Sequence, residues 1–157
     1  RETIAALAAA VREAVDRIAR HVEPASECAF RAYGDYFTRF ESAPVVMVVL
    51  YRVSLVLSNL VDASLPEGDR ARILEMERIS GVSGAAMALQ NLLLMAHELG
   101  LGASGMTGPL VAADGIRAIL RVPSSWDVAA MVPVGYPAEQ PAPTDRKPVG
   151  QVLKWIE

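Results

Sequence analysis

Residues 81–110 read GVSGAAMALQNLLLMAHELGLGASGMTGPL, and this stretch decides the fold. As far as Leu99 it is apolar on nearly every side, and a helix that is apolar all round is buried all round. Gly84, Ala85 and Ala88 make part of this helix thin enough for a second helix to approach closely. In a chain of 157 residues we expect the cover to come from a partner subunit.

The predicted helix ends in a turn that carries four glycines within nine residues, at positions 100, 102, 105 and 108. Glycine loses more conformational entropy on folding than other residues, so four of them need a reason. One interpretation is structural, with Gly100 ending the helix and the others serving as turn residues. The other is that the main chain approaches a ligand too closely for side chains. The helix–loop–helix order excludes a dinucleotide fingerprint, and the absence of Gly-Lys-Ser/Thr excludes a phosphate loop.

Upstream of the glycine turn, the pattern predicts three helical segments. Residues 64–67, Ser-Leu-Pro-Glu, combine a Ser N-cap with an early Pro and a Glu, so one long helix is expected from there to Leu99. Apolar residues at steps of three and four predict an amphipathic helix over 4–22. The aromatic-rich stretch 26–40 is interpreted as a short helix or helical turns.

Two strands and a further short helix complete the predicted elements. PVVMVVLYR at 44–52 is a continuous β-branched run, which predicts a strand buried on both faces. A short helix is expected at 111–120 and a second strand at 126–137. Pro133 within that strand cannot donate to a ladder, so it should lie at an edge or a bulge. Because two strands make a marginal sheet, more strand is expected from residues before Arg1 or from another chain.

Composition excludes several classes of protein. The net charge of −3 and pI near 5.4 argue against nucleic-acid binding. Since no stretch of about 20 uninterrupted apolar residues occurs, no membrane span is expected. Two histidines and one cysteine, Cys28, leave few ligands for a metal site, and the lone thiol fits a reducing cytoplasm. The apolar content is high, at 52%. It predicts apolar surface that faces a partner subunit or a flat apolar ligand.

The two ends of the chain each lead to an expectation, one about preceding residues and one about the partner subunit. The chain begins at Arg1 without methionine, and we expect further residues before it in the natural protein. The proline-rich tail from Ala138 ends on the apolar residues Val152, Leu153, Trp155 and Ile156. A solvated tail would not need that cluster, so we expect it to dock on the other subunit.

Several of these segments, taken in order, resemble the FMN-dependent nitroreductase family. In that family an interface helix like GVSGAAMALQNLLLMAHELGLGA is followed by a turn like SGMTGPL (104–110), a short helix and a strand ending like VPVGYP (132–137). A tail with a basic pair before proline follows, here DRKPV (145–149). The upstream YFTRFESAPVVMVVLYR (36–52) is also similar, so the resemblance covers roughly residues 36–155. The family's N-terminal Arg-Arg-Ser-x-Arg segment, which grips the FMN phosphate, is not among these residues.

The resemblance implies a single α+β, nitroreductase-like domain over residues 1–157, with helices around a small, mainly antiparallel sheet. It further implies a homodimer with a long buried interface helix, a C-terminal tail reaching the partner, and FMN bound between the subunits. NADH or NADPH would reduce the flavin, which would then pass a hydride or electrons to a nitroaromatic, quinone or enone. The alternative is a dimeric ligand-binding or structural module of the same fold that has lost flavin catalysis.

The resemblance also implies which residues meet the cofactor and substrate. Main-chain groups of Gly105, Met106 and Thr107 would hydrogen-bond the flavin edge, with Met106 packing on the ring, and Arg146 and Lys147 would bind the FMN phosphate. No catalytic side chain and no metal ligand are expected, because the flavin carries the chemistry.

Four aromatic side chains are candidates for covering a flat substrate above the flavin: Tyr33, Tyr36, Phe37 and Phe40. Of these, Tyr36 and Phe40 are the predicted substrate contacts. Core or dimer packing remains the alternative for all four.

Overall fold

The computed structural model describes residues 1–139 and 144–156. Within these ranges the α-helices are α1 (Glu2–Ala19), α2 (Glu27–Gly34), α3 (Glu67–Glu98), α4 (Ala113–Leu120) and α5 (Val149–Val152). The strands are β1 (Val45–Tyr51), β2 (Gly102–Ala103) and β3 (Asp127–Gly135). Short 3-10 helices span Pro24–Ser26, Asp35–Ser42 and Gly108–Ala112. The predicted α+β class is confirmed.

The sheet is antiparallel with the strand order β1-β3-β2, so β3 is its central strand. Its third strand comes from the glycine turn, where the sequence had indicated no strand. β1 is an edge strand, and its outward residues Val45 and Met47 are 53% and 45% exposed. The prediction that β1 is buried on both faces is therefore wrong for this chain, because only Val46, Val48 and Leu50 pack against its core.

The core lies between α1, α4 and the sheet. The predicted stripe on α1 is confirmed through Leu7, Val11 and Val15, which are buried. They form one cluster with Ile116 of α4 and Met131 of β3, both fully buried. The 3-10 helices Asp35–Ser42 and Gly108–Ala112 also pack against α1. This packing holds the aromatic segment and the glycine turn on the same side of the sheet.

The predicted long helix is confirmed as α3, with differences at its start. Pro66 is the N-cap residue and makes no side-chain cap; the Ser64 amide instead donates to Asp62, 2.7 Å away. At the other end, the Leu101 N–H donates to the Ala96 carbonyl at 2.8 Å, and Gly100 has a φ of +70°. Helices commonly end at a left-handed glycine of this kind, so the end of α3 accounts for Gly100 without a ligand.

The single chain does not bury α3. Its buried residues are Glu77, Ala85 and Ala96, while several long apolar side chains are exposed: Leu74, Met76, Ile79, Met87, Leu94 and Met95. By length and composition alone, with mean hydropathy of 1.4 over its most apolar 18 residues, α3 could cross a membrane. The same test is passed by core helices of soluble proteins, so the expectation of no membrane span stays an expectation. If α3 is buried as predicted, the residues that pack on it must lie outside the described residues of this chain.

Glu77 is a buried carboxylate that anchors the connection between β1 and α3. It accepts hydrogen bonds from the Leu57 N–H at 2.7 Å, from the Ser58 N–H at 3.3 Å and from the Ser58 hydroxyl. The Ser58 hydroxyl bond is the main cause that lowers the pKa of Glu77, while burial opposes it. The carboxylate therefore stabilises the fold in its ionised form.

We expect Glu77→Gln to lower the melting temperature by several degrees, because an amide nitrogen cannot accept the bonds that one carboxylate oxygen accepts. Since the folded-state pKa lies below the unfolded value near 4.5, the wild-type contribution is present above that pH. It is lost as pH falls through the folded pKa, and the variant should lack this acid-dependent component. Thermal melts between pH 3 and 7 measure both effects. Equal behaviour of Glu77→Gln and the exposed control Glu98→Gln would contradict the anchor.

Candidate functional site

A proline interrupts the sheet beside the glycine turn. Met106 and Met131 exchange two backbone hydrogen bonds, of 2.8 and 2.9 Å, in register with the β2–β3 pairs. That register places Ser104 opposite Pro133, and the alternation of antiparallel bonding turns residue 133 toward Ser104. Proline has no N–H to donate to Ser104, so the regular hydrogen bonding between β2 and β3 is interrupted here. β2 therefore ends at Ala103.

The prediction that Pro133 lies at an edge or a bulge is therefore wrong. β3 is the central strand, and Pro133 still pairs with Val46 of β1 on its other side. A proline is tolerated at this position because its missing donor faces the gap in the ladder.

Several main-chain donors of the turn are left free of backbone hydrogen bonds. Within residues 1–139 and 144–156, the amides of Ser104, Gly105 and Thr107 make no backbone hydrogen bond. The Met106 N–H, by contrast, is bonded to Met131. The turn can therefore offer a ligand the amides of Gly105 and Thr107, and Met106 through its side chain.

An apolar pocket of about 440 Å³ opens beside the gap. Its lining consists of aromatic, small and apolar residues with one cation: Tyr33, Tyr36, Phe37, Arg39, Ser104, Met106, Gly108 and Pro133. The volume lies in the range of ligand pockets, roughly 300–1,000 Å³. We call it the proline-gap pocket. A second hollow, also about 440 Å³, shares Ser104 and Pro133 with it and extends along residues 134–138.

The aromatic wall of the proline-gap pocket is held by specific contacts. The Tyr33 and Phe37 rings meet edge to face, with centroids 5.0 Å apart and planes at 77°. The Arg39 guanidinium lies over the Tyr36 ring, 3.7 Å from its centroid. Both arrangements are favourable for aromatic side chains. Phe37 is buried, whereas Tyr33 and Tyr36 are exposed at the mouth.

The structure brings some predicted site residues together. Met106 and Tyr36 both line the proline-gap pocket, whereas Gly105 and Thr107 flank Met106 in the turn without lining the pocket. Phe40 lies elsewhere: it is 0% exposed and belongs to the hydrophobic core. Tyr36 is thus the predicted substrate contact that faces the pocket, and Phe40 is not.

The basic pair is not brought to the pocket. Arg146 and Lys147 are exposed in the segment 144–148, which precedes α5. Neither lines the pocket, and neither has a side-chain hydrogen bond or ion pair to another described residue. Their predicted contact with a phosphate stays a prediction.

Sequence reasoning missed several lining residues. The sequence marks Gly108 only as part of a glycine-rich turn, yet a Cβ built on it would lie 2.2 Å from the Phe37 ring. Ser104 and Arg39 carried no pattern of their own. Pro133 carried a signal, because a proline inside a strand marks a break in pairing. Among the described residues, no group of three His, Cys, Asp or Glu side chains is placed to hold a metal ion.

The chain is similar to known proteins over most of its length. The model of the nitroreductase family matches residues 1–136. The chain is 31% identical, over 148 residues, to an NADH dehydrogenase of Thermus thermophilus; the match covers 85% of this chain and 71% of that protein.

Two solved structures share the fold. A BluB-like flavoprotein from Clostridium difficile 630 aligns with a TM-score of 0.83 at 24% identity, covering 100% of this chain and 76% of that one. The FMN and NADPH-dependent nitroreductase NfnB of Sphigopyxis sp. strain HMH aligns with a TM-score of 0.60 at 14% identity, covering 100% and 77%.

Proposed function

The chain belongs to the nitroreductase family, and from that premise we propose that it is an FMN-dependent oxidoreductase. NADH or NADPH reduces the bound flavin, and a nitroaromatic, quinone or enone then accepts a hydride or electrons. The observation that carries this proposal is the proline-gap pocket, an apolar, aromatic-lined space whose lining includes Ser104, a residue with an amide free of backbone hydrogen bonds. FMN and NADPH are named for NfnB, which shares this fold.

The residues present fit a flat, polar-edged ring. Gly105 and Thr107 supply fixed amide donors for the ring edge, at no reorganisation cost when charge develops there. Met106 and Pro133 supply apolar surface against the ring face. FMN, when bound, would supply the hydride and electron transfer.

Substrate binding is assigned to the mouth of the same pocket. Tyr36 is exposed there under the Arg39 guanidinium, and Tyr33 lies on the same wall. A flat aromatic or conjugated substrate can pack on these rings and exclude water from the space above the flavin.

We propose that the molecule works as a homodimer with α3 at the interface and the tail docked on the partner. The exposed apolar side chains of α3 support this. A Cβ added at Gly84 would meet nothing within 4 Å, so this part of the helix surface is open to a second helix. The apolar side chains of the tail, Val149, Val152, Leu153, Trp155 and Ile156, are exposed as well. We place the protein in the cytoplasm, without membrane or nucleic-acid partners. Sedimentation analysis that finds only monomer would contradict the dimer.

Replacing Arg146 and Lys147 together with alanine should weaken FMN binding by about tenfold to a hundredfold, because charged hydrogen bonds to a phosphate would be lost. Fluorescence titration of FMN measures the dissociation constant. The control is Arg121→Ala with Lys154→Ala, two exposed cations outside the pocket. If both double variants bind FMN equally well, the phosphate role of Arg146 and Lys147 is refuted.

The absorbance spectrum of the purified natural-length protein tests the function itself. A yellow protein that releases FMN and oxidises NAD(P)H would support the proposal. The alternative is a dimeric binding or structural module without flavin, which the absence of Arg146 and Lys147 from the pocket lining favours. A colourless protein that takes up no added FMN would establish that alternative.

A further inference from the structure

A further cavity, of about 450 Å³, lies toward the opposite end of β3 from the proline-gap pocket. Asp127, which lines this cavity, and Pro133, which lines the proline-gap pocket, are six residues apart along an extended strand, a distance of roughly 20 Å. Three arginines from separate elements line this cavity: Arg52 after β1, Arg78 on α3 and Arg117 on α4. We call it the arginine cavity.

One of the three arginines is already matched by a carboxylate. Arg78 donates to both oxygens of Glu75, at 2.7 and 2.8 Å, and these bonds are the main cause that raises its pKa. Asp127, the acid in the lining, is also engaged, with the Tyr51 hydroxyl at 3.4 Å and the Val128 N–H at 2.8 Å. Neither of these two acids forms an ion pair with Arg52 or Arg117.

Arg117 carries a buried donor without an acceptor. Its side chain is 28% exposed, and its Nε is a buried atom that has no hydrogen-bond partner among the described residues. Its other nitrogens make only long contacts, 3.5 Å to the Ser124 carbonyl and 3.7 Å to the exposed Asp114. A buried donor left unpaired costs free energy, and such a group in a native fold calls for a missing acceptor.

Arg52, which directly follows β1, is the other arginine of the cavity that a ligand could bind. It forms no ion pair with an acid in the described parts of the chain, and its guanidinium lies 5.9 Å from the Trp126 ring centroid. The indole orients this charge without neutralising it. Ser124 and Ser125 lie on the same lining and can add hydroxyl donors.

We propose that the arginine cavity is a binding site for a phosphate group, held between Arg52 and Arg117. A guanidinium matches phosphate geometry through two parallel N–H bonds, and a phosphate has enough oxygens to bridge two such groups. It would give the Arg117 Nε its acceptor. The site does not depend on the proposed flavin function, since it shares no lining residue with the proline-gap pocket.

Calorimetric titration with inorganic phosphate tests this site, using protein saturated with FMN if it binds FMN. Saturable binding is expected at constant ionic strength, and Arg52→Gln and Arg117→Gln should each weaken it about tenfold or more. The matched control is Arg121→Gln, an exposed arginine just after α4 that does not line the cavity. Because Arg52 is exposed on a loop, its variant should fold even if the Arg117 variant is less stable.

Tryptophan fluorescence locates the bound phosphate. The chain has two tryptophans, so in the Trp155→Phe background the emission reports Trp126 in the cavity wall. Adenosine monophosphate that binds more tightly than inorganic phosphate, and competes with it, identifies a nucleotide as the source. Equal affinities identify free phosphate. The proposal is overturned if phosphate does not bind, if it leaves Trp126 emission unchanged, or if both arginine variants bind like Arg121→Gln.

Discussion

Replacing Phe40 with alanine is expected to destabilise the protein by about 3–5 kcal/mol, because a fully buried aromatic side chain leaves a cavity that the core cannot close. The loss would lower the melting temperature by roughly 10 °C or more. Phe40→Leu should recover most of it. Melts at one fixed protein concentration measure the effect, since the proposed dimer makes stability depend on concentration.

Tyr36→Ala is the matched variant for Phe40→Ala. Tyr36 is exposed at the mouth of the proline-gap pocket, so its removal should cost less than about 1 kcal/mol of stability. It should instead raise KM for an aromatic acceptor. If Phe40→Ala melts like the wild type and raises KM in the same way, Phe40 is a substrate contact and its placement in the core is wrong.

Gly108→Ala is expected to displace the Phe37 ring, which lies 2.2 Å from the position of the added Cβ. Forcing one carbon into a packed site costs roughly 1–3 kcal/mol, which corresponds here to several degrees of melting temperature. Because Phe37 lines the proline-gap pocket and meets Tyr33 edge to face, binding of an aromatic ligand should weaken as well.

Two comparisons separate this clash from a general effect of losing a glycine. Gly68→Ala on α3 adds a Cβ that meets nothing within 4 Å, so it should leave stability unchanged or raise it slightly. Phe37→Leu combined with Gly108→Ala should recover part of the loss, since the smaller side chain leaves room. A Gly108→Ala protein as stable as the wild type would show that the ring moves freely and does not define the pocket.

Most helices and strands could be predicted because their signals are local. The apolar stripe of α1, the long apolar run of α3 and the β-branched run of β1 each reflect one period in consecutive residues. Gly100 also belongs here, since a left-handed residue directly after a helix is set by its neighbours. In contrast, β2 could not be predicted, because two residues become a strand only when β3 lies beside them.

The candidate site was predictable in part for the same reason. The glycine turn marked the segment of Met106, and the aromatic run marked that of Tyr36. Phe40 lies in the same run, and its periodicity does not distinguish a core side chain from one at a pocket mouth. The role of Pro133 required knowledge of its cross-strand neighbour, Ser104. The burial of α3 was predicted, but the chain by itself does not provide it.

What the sequence by itself determined is the class of fold, the long apolar helix and the order of segments that marks the nitroreductase family. These follow from hydrophobic period and local backbone preference, which operate over a few neighbouring residues. The tertiary structure decided which amides of the turn remain free, which aromatic side chains face the pocket, and that Arg52 and Arg117 share a cavity. These features depend on contacts between residues far apart in the chain, and such contacts exist only once the sheet and helices have packed.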